Sequence, residues 1–153
     1  MTIKSTLILL ILTVNTSLFA QNQDLIIENG KYFNVNGTLF SGQYAEYIDG
    51  YKTSELTVEN GLLSGSAMYF FPDGTTKEMG QFNNGKRNGE WLQYSATGDL
   101  SSVASFKNDQ KHGKWVVWDQ NGNKRFEMYY ADGVKVGTWK MWDADGNLTT
   151  KTF

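Results

Sequence analysis

From residue 37 onward, runs of about six residues rich in aromatic and β-branched side chains alternate with short polar stretches containing Asn-Gly or Asp-Gly. Runs of that length between such dipeptides predict β-hairpins, because Asn, Asp and Gly accept the positive φ that a two-residue turn needs. The dipeptides fall into two sets: Asp49-Gly50, Asp73-Gly74, Asn121-Gly122 and Asp145-Gly146 alternate with Asn36-Gly37, Asn60-Gly61, Asn84-Gly85 and Asp132-Gly133. Each strand is therefore expected to pair with the next, antiparallel, over 66–71, 77–82, 90–94, 101–106, 114–118, 124–130, 138–142 and 148–152. The single proline, Pro72, falls at a strand end just before a turn, where its missing N–H does no harm.

The pattern has a period. Gly65, Gly89, Gly113 and Gly137 are spaced 24 residues apart, as are Gly74, Gly98, Gly122 and Gly146. Gly61, Gly85 and Gly133 take the same step, with Asp109 filling the gap. Large side chains keep the same time: Trp91, Trp115 and Trp139 share one position, Phe70, Tyr94, Trp118 and Trp142 another, and Phe82, Phe106 and Tyr130 a third. An earlier copy fits with one residue moved between turns, through Gly37, Gly42, Tyr44, Tyr47, Gly50 and Val58. Before it, residues 21–36 read as a leading hairpin around Asn29-Gly30. The fold expected is all-β: an elongated, single-layer antiparallel β-meander of about five 24-residue hairpin repeats over 37–153.

Trp91 and Tyr94 are three apart and so point to opposite faces of a strand, and Trp115 with Trp118 and Trp139 with Trp142 repeat this. Both faces then carry an aromatic row, as a sheet without a covering layer requires. Gly80 and Ala104 leave room in the intervening strands for rings to lie across the backbone.

Composition narrows the function. Of 153 residues, 40% are hydrophobic and 20% charged, which suits one soluble domain. With 14 Lys and Arg against 16 Asp and Glu, a net charge of -2 gives no general attraction for nucleic acid. The absence of Cys excludes disulfides, thiolate metal sites and thiol nucleophiles. At the N-terminus, Lys4, the apolar run from Leu7 to Leu12, polar Asn15 to Ser17 and the small Ala20 have the layout of a secretory signal over 1–20. The run is shorter than the roughly 20 apolar residues that span a bilayer, so cleavage near Ala20 and a periplasmic or secreted product are expected, with an uncleaved anchor the lesser reading.

The unit Gly85-Lys86-Arg87-Asn88-Gly89-Glu90-Trp91-Leu92-Gln93-Tyr94 through Gly98 and Phe106, repeated as Gly113-Lys114-Trp115 to Trp118 and Gly122, resembles the variant MORN repeat. In bacteria such arrays are often labelled YwqK-family antitoxins of toxin-antitoxin systems. The resemblance covers roughly residues 37–153 and implies an elongated antiparallel sheet used as a protein-binding or lipid-associated scaffold, with no catalytic residues to carry over and no cofactor.

Candidate chemistry is sparse. His112 is the only histidine, and with period mates Ser64, Asn88 and Val136 it reads as a surface turn residue. Asp119-x-Asn121-Gly122-Asn123 and Asp143-x-Asp145-Gly146-Asn147 space oxygens like a calcium loop, but their glycine stands at position four inside a hairpin turn, so local hydrogen bonding is the better reading. No Gly-rich run enters a helix as a phosphate cradle would.

The Gly-x-x-x-Gly segments are expected as turns on one long edge, with Lys86, Arg87, Lys111 and Lys135, while Asp49, Asp73, Asp99, Asp119, Asp143 and Asp145 collect on the other. A basic margin could align a charged protein partner. Trp91, Trp115 and Trp139 read first as the sheet's own packing; as an exposed track they could stack sugar rings or peptide side chains, which keeps a cell-wall or glycan-binding module open beside the protein-binding scaffold.

Overall fold

A computed structural model describes residues 24–153, and the expected signal segment lies outside them. Strands β1 (Leu25–Glu28) and β2 (Lys31–Asn34) form a hairpin of their own around Asn29-Gly30. The rest of the chain runs through β3 (Gly42–Ile48), β4 (Tyr51–Glu59), β5 (Leu62–Phe70), β6 (Thr76–Asn83), β7 (Lys86–Tyr94), β8 (Leu100–Lys107) and β9 (Gln110–Trp118). It finishes with β10 (Lys124–Ala131), β11 (Val134–Lys135), β12 (Thr138–Trp142) and β13 (Leu148–Thr152). From β3 to β13 these strands make one antiparallel sheet in sequence order, with the short β11 and then β12 both pairing with β10. The fold is the all-β meander of consecutive hairpins that the period predicts.

Two details differ from expectation, each for a local reason. The long strands begin four residues earlier than expected, because the turns are only two residues, such as Asn84 and Gly85 at φ 49° and 79°. Gly65, Gly89 and Gly113, the second glycines of their segments, are therefore inside strands. Gly113 sits in β9 at φ +77°, opposite a register shift between Ala104 and Phe106, and a Cβ there would stand 3.3 Å from that of Ser105. Such a bulge admits an extra residue without breaking the ladder. In the last unit the same position, Gly137, interrupts the strand and leaves β11 and β12 as two pieces.

At the N-terminal end of the sheet the leading hairpin seats against the first repeats. Tyr32 of β2 and Phe40 bury with Leu56, Val58, Ala67 and Trp91 in one apolar cluster. Main-chain bonds hold the hairpin there: Tyr32 N–H donates to Gly61 O (2.9 Å), Phe40 N–H to Tyr32 O (3.0 Å) and Gly61 N–H to Phe40 O (2.8 Å). A repeat array needs its terminal apolar surface covered, and this hairpin covers it.

Candidate functional site

The two faces of the sheet follow from strand alternation and the pairing register. On one face Trp91 lies opposite Ala104, Ala104 opposite Trp115, and Trp115 opposite Met128. The rings form a nearly continuous row: Phe106 to Trp115 at 5.1 Å between centroids, Trp115 to Tyr130 at 5.5 Å, Tyr130 to Trp139 at 5.1 Å and Trp139 to Phe153 at 4.7 Å. Trp91 meets Phe82 edge-on at 5.0 Å and is 1% exposed; Trp139 is 8% exposed. Trp115 and Trp139 donate their indole N–H to the carbonyls of Ser105 (2.8 Å) and Tyr129 (3.0 Å). Trp91 and Trp139 are buried within this row and Trp115 is half-buried.

The cations of the expected basic margin are also relocated. Arg87 and Lys111 are strand residues four positions before a tryptophan, an even separation that puts them on its face. Arg87 lies 4.2 Å from the Trp91 ring centroid and 5.4 Å from that of Phe106, filling the one gap in the row, and its Nη1 is 3.3 Å from Glu78 Oε1. Lys111 stands 4.4 Å from Trp115 and 5.0 Å from Tyr130, and Lys135 stands 4.7 Å from Trp139 and 5.1 Å from Phe153. Cations over ring faces contribute about 0.5–2 kcal/mol each, so they belong to the row's stability as well as its charge. The signal was present in the sequence, since positions 87, 111 and 135 share the 24-residue step.

Of the site candidates, Lys86 alone is an exposed strand residue away from this row, paired with Asn83 beside the turn. The margin it occupies is mixed rather than basic. Asp109 Oδ1 accepts the Arg87 backbone N–H at 2.7 Å, and Asp132 lies 3.6 Å from Lys107. His112 belongs to β9 instead of a turn, and its Nδ1 is 3.3 Å from the Asp132 backbone nitrogen.

On the acidic margin, Asp119 Oδ1 accepts the backbone N–H groups of Asn121 and Asn123, each at 2.9 Å. Asp143 does the same for Asp145 (3.0 Å) and Asn147 (2.8 Å). These bonds, the Asn123 backbone bond foremost for Asp119 and the Asn147 side-chain bond for Asp143, hold both carboxyls below the usual range. They are turn-forming carboxylates.

The opposite face carries an arrangement that motif reading missed. A straight cross-strand row runs Glu55, Met68, Met79, Leu92, Val103, Val116, Glu127, Lys140. Glu127 is 7% exposed and has three lysines on it: Lys124 Nζ at 3.1 Å, Lys114 Nζ at 3.2 Å and Lys140 Nζ at 3.5 Å. The Lys124 hydrogen bond, followed by that of Lys114, lowers the Glu127 carboxyl to about 2 against the upward push of burial. At the other end Glu55 has a single partner, Lys52, at 2.5 Å. The aromatics of this face stand apart: Lys52 lies 4.9 Å from the Phe70 ring, Tyr94 Oη 3.8 Å from Met79 Sδ, and Lys124 5.6 Å from Trp142.

Comparison with known proteins follows this architecture. The MORN repeat variant family matches residues 87–108, 111–132 and 135–153. Repeats of that kind generally serve as protein- or membrane-binding scaffolds and not as catalysts. No curated protein matches the chain. Among solved structures, a chain of the GtfA/B complex bound to UDP and GlcNAc is similar at 9% identity and a TM-score of 0.33, over 75% of this chain and 23% of that one. This chain thus spans about a quarter of that neighbour's length, and a likeness so distant carries no argument about ligand or activity.

Proposed function

We propose that the chain is an exported, non-catalytic repeat scaffold that binds a protein partner. The observation that supports it is the face opposite the tryptophans, where the partly exposed apolar side chains of Met68, Met79, Leu92 and Val103 have no covering layer among the described residues. Lys86 beside its turn and Arg87 and Lys111 over the tryptophan row add positive charge, which steers association more than it holds the complex. Export rests on the signal-like residues 1–20. A YwqK-family antitoxin role is the narrower form of the same reading, in which the partner is a toxin protein.

Immobilised mature protein incubated with envelope extract tests the scaffold reading: a protein is expected to be retained, with capture weakened by Lys86→Ser and Lys111→Ser at low salt. Retention of peptidoglycan or polysaccharide alone would replace this reading with the glycan module. That second reading keeps one support, because Trp118 lines a hollow of about 660 Å³ with Leu100, Asp99 and Asn121. Mass spectrometry of the native product checks export; a mature chain beginning at or near Gln21 is expected, and an intact residue 1–20 segment on a cytoplasmic protein refutes it.

A further inference from the structure

The apolar stretch of the second face is bounded, and its two ends are not alike. Within the 24-residue period, Glu55, Met79, Val103 and Glu127 are the same position, as are Lys52, Thr76, Leu100 and Lys124. The outer units thus keep a Glu and Lys pair where the inner units have the uncharged pairs Met79 with Thr76 and Val103 with Leu100. Between the two glutamates, the partly exposed Met68, Met79, Leu92 and Val103 cross the four strands β5 to β8, a row of about 14 Å at the usual strand spacing, and Val116 beyond them is buried.

At the β4 end the charges balance, with one lysine on one carboxylate. At the β10 end three ammonium groups share Glu127, whose carboxylate can neutralise only one of them. The side chains of Lys114, Lys124 and Lys140 remain 50%, 38% and 46% exposed while that of Glu127 is 9% exposed, so the carboxylate serves as an internal anchor and the excess charge faces outward.

We propose that this face is the docking surface for an amphipathic helix of a protein partner, its aliphatic residues along Met68 to Val103 and its acidic end on Lys114, Lys124 and Lys140. The row runs across the strands on a sheet face, where an added strand has no free edge to pair with. A helix with anchors at i, i+4, i+7 and i+11 covers about 16 Å and spans the row. An aliphatic row offers no ring face to stack a sugar. The charge difference between the ends fixes the helix direction. This inference rests on the scaffold reading and names the partner's chemistry.

The test uses the mature full chain and a fluorescent helical peptide with four leucines at that spacing and three glutamates at one end. The control peptide ends in three lysines, and phosphatidylglycerol vesicles form a third arm. The glutamate peptide is expected to bind at least tenfold more tightly than the lysine peptide, with the preference shrinking as salt rises. Leu92→Ser should abolish binding, and Lys114→Gln with Lys140→Gln should remove the preference between peptides. Glu127→Gln, which removes the competing carboxylate but keeps the lysines, should preserve or tighten binding and guards against a loss that reflects misfolding.

Equal affinity for both peptides, binding unaffected by Leu92→Ser, or binding to the vesicles without the peptide overturns the docking surface. If those variants still capture the wild-type set of envelope proteins, the surface is wrong and the scaffold reading survives; if wild-type captures no protein at all, the scaffold reading itself fails.

Discussion

Strands β6 and β10 occupy the same place in the repeat two periods apart, yet their side chains invert on both faces. In β6 the second face carries Met79 and the tryptophan face carries Gly80; in β10 these positions are Glu127 and Met128. Gly80 lets Trp91 lie on the main chain, where a Cβ would come within 2.3 Å of the ring. Trp91 is consequently the most completely buried tryptophan, and its Nε1 is buried without a hydrogen-bond partner among the described residues. Trp115 and Trp139, whose period mates of Gly80 are Ala104 and Met128, each reach a main-chain carbonyl. One backbone repeat therefore supports two ways of seating an indole: full contact with an orphaned N–H, or a hydrogen bond with less complete burial.

The largest expected effect tests that contrast directly. Trp91→Ala should destabilise the fold by about 3–5 kcal/mol in denaturant unfolding, because it empties the centre of the main apolar cluster. Trp115→Ala, at a half-buried site, should cost less. Equal losses, or a larger one at Trp115, would mean that the indole hydrogen bond outweighs burial.

Gly80→Ala should cost about 1–3 kcal/mol, since the new methyl displaces a buried ring. A near-neutral result with a changed Trp emission spectrum would show that Trp91 can adopt the seat of its period mates, and would break the distinction between the two strands.

Glu127 sharpens the other half of the contrast. Its carboxyl is lowered from 4.5 to about 2, so it binds fewer protons folded than unfolded, and its stabilising effect is present above pH 4.5 and lost as pH falls toward 2. Wild-type protein should lose stability over that window beyond what Glu127→Gln loses over the same range. Parallel pH profiles would show that the three lysines contribute no net stabilisation.

The smallest effect concerns Asp109, which replaces the turn glycine of its period mates and adopts φ +68°. Asp109→Gly relieves the left-handed strain but removes the acceptor of the Arg87 backbone N–H, two opposing changes of about 1 kcal/mol each. The midpoint of thermal unfolding should move little. A shift beyond a few degrees in either direction would show which term dominates.

The sequence alone determined the meander, because turn residues with positive φ and a 24-residue spacing of aromatics are local and repeating features that admit one chain path. It also placed Trp91 and Tyr94 on opposite faces, through parity. Tertiary structure decided the rest. A two-residue turn moved Gly89 and Gly113 into the strands, and that put Arg87 and Lys111 over indole rings instead of at a free margin. Only folding brought Tyr32 onto the first repeats, since the leading hairpin has no counterpart in the 24-residue period that would assign it to Leu56 and Val58. Glu127 and its lysines come from β9, β10 and β12, so the cluster depends on register across strands, which no spacing along one strand discloses. Burial likewise separated three tryptophans that the period makes equivalent, because the side chain beneath each ring, Gly80, Ala104 or Met128, is set by the adjoining strand.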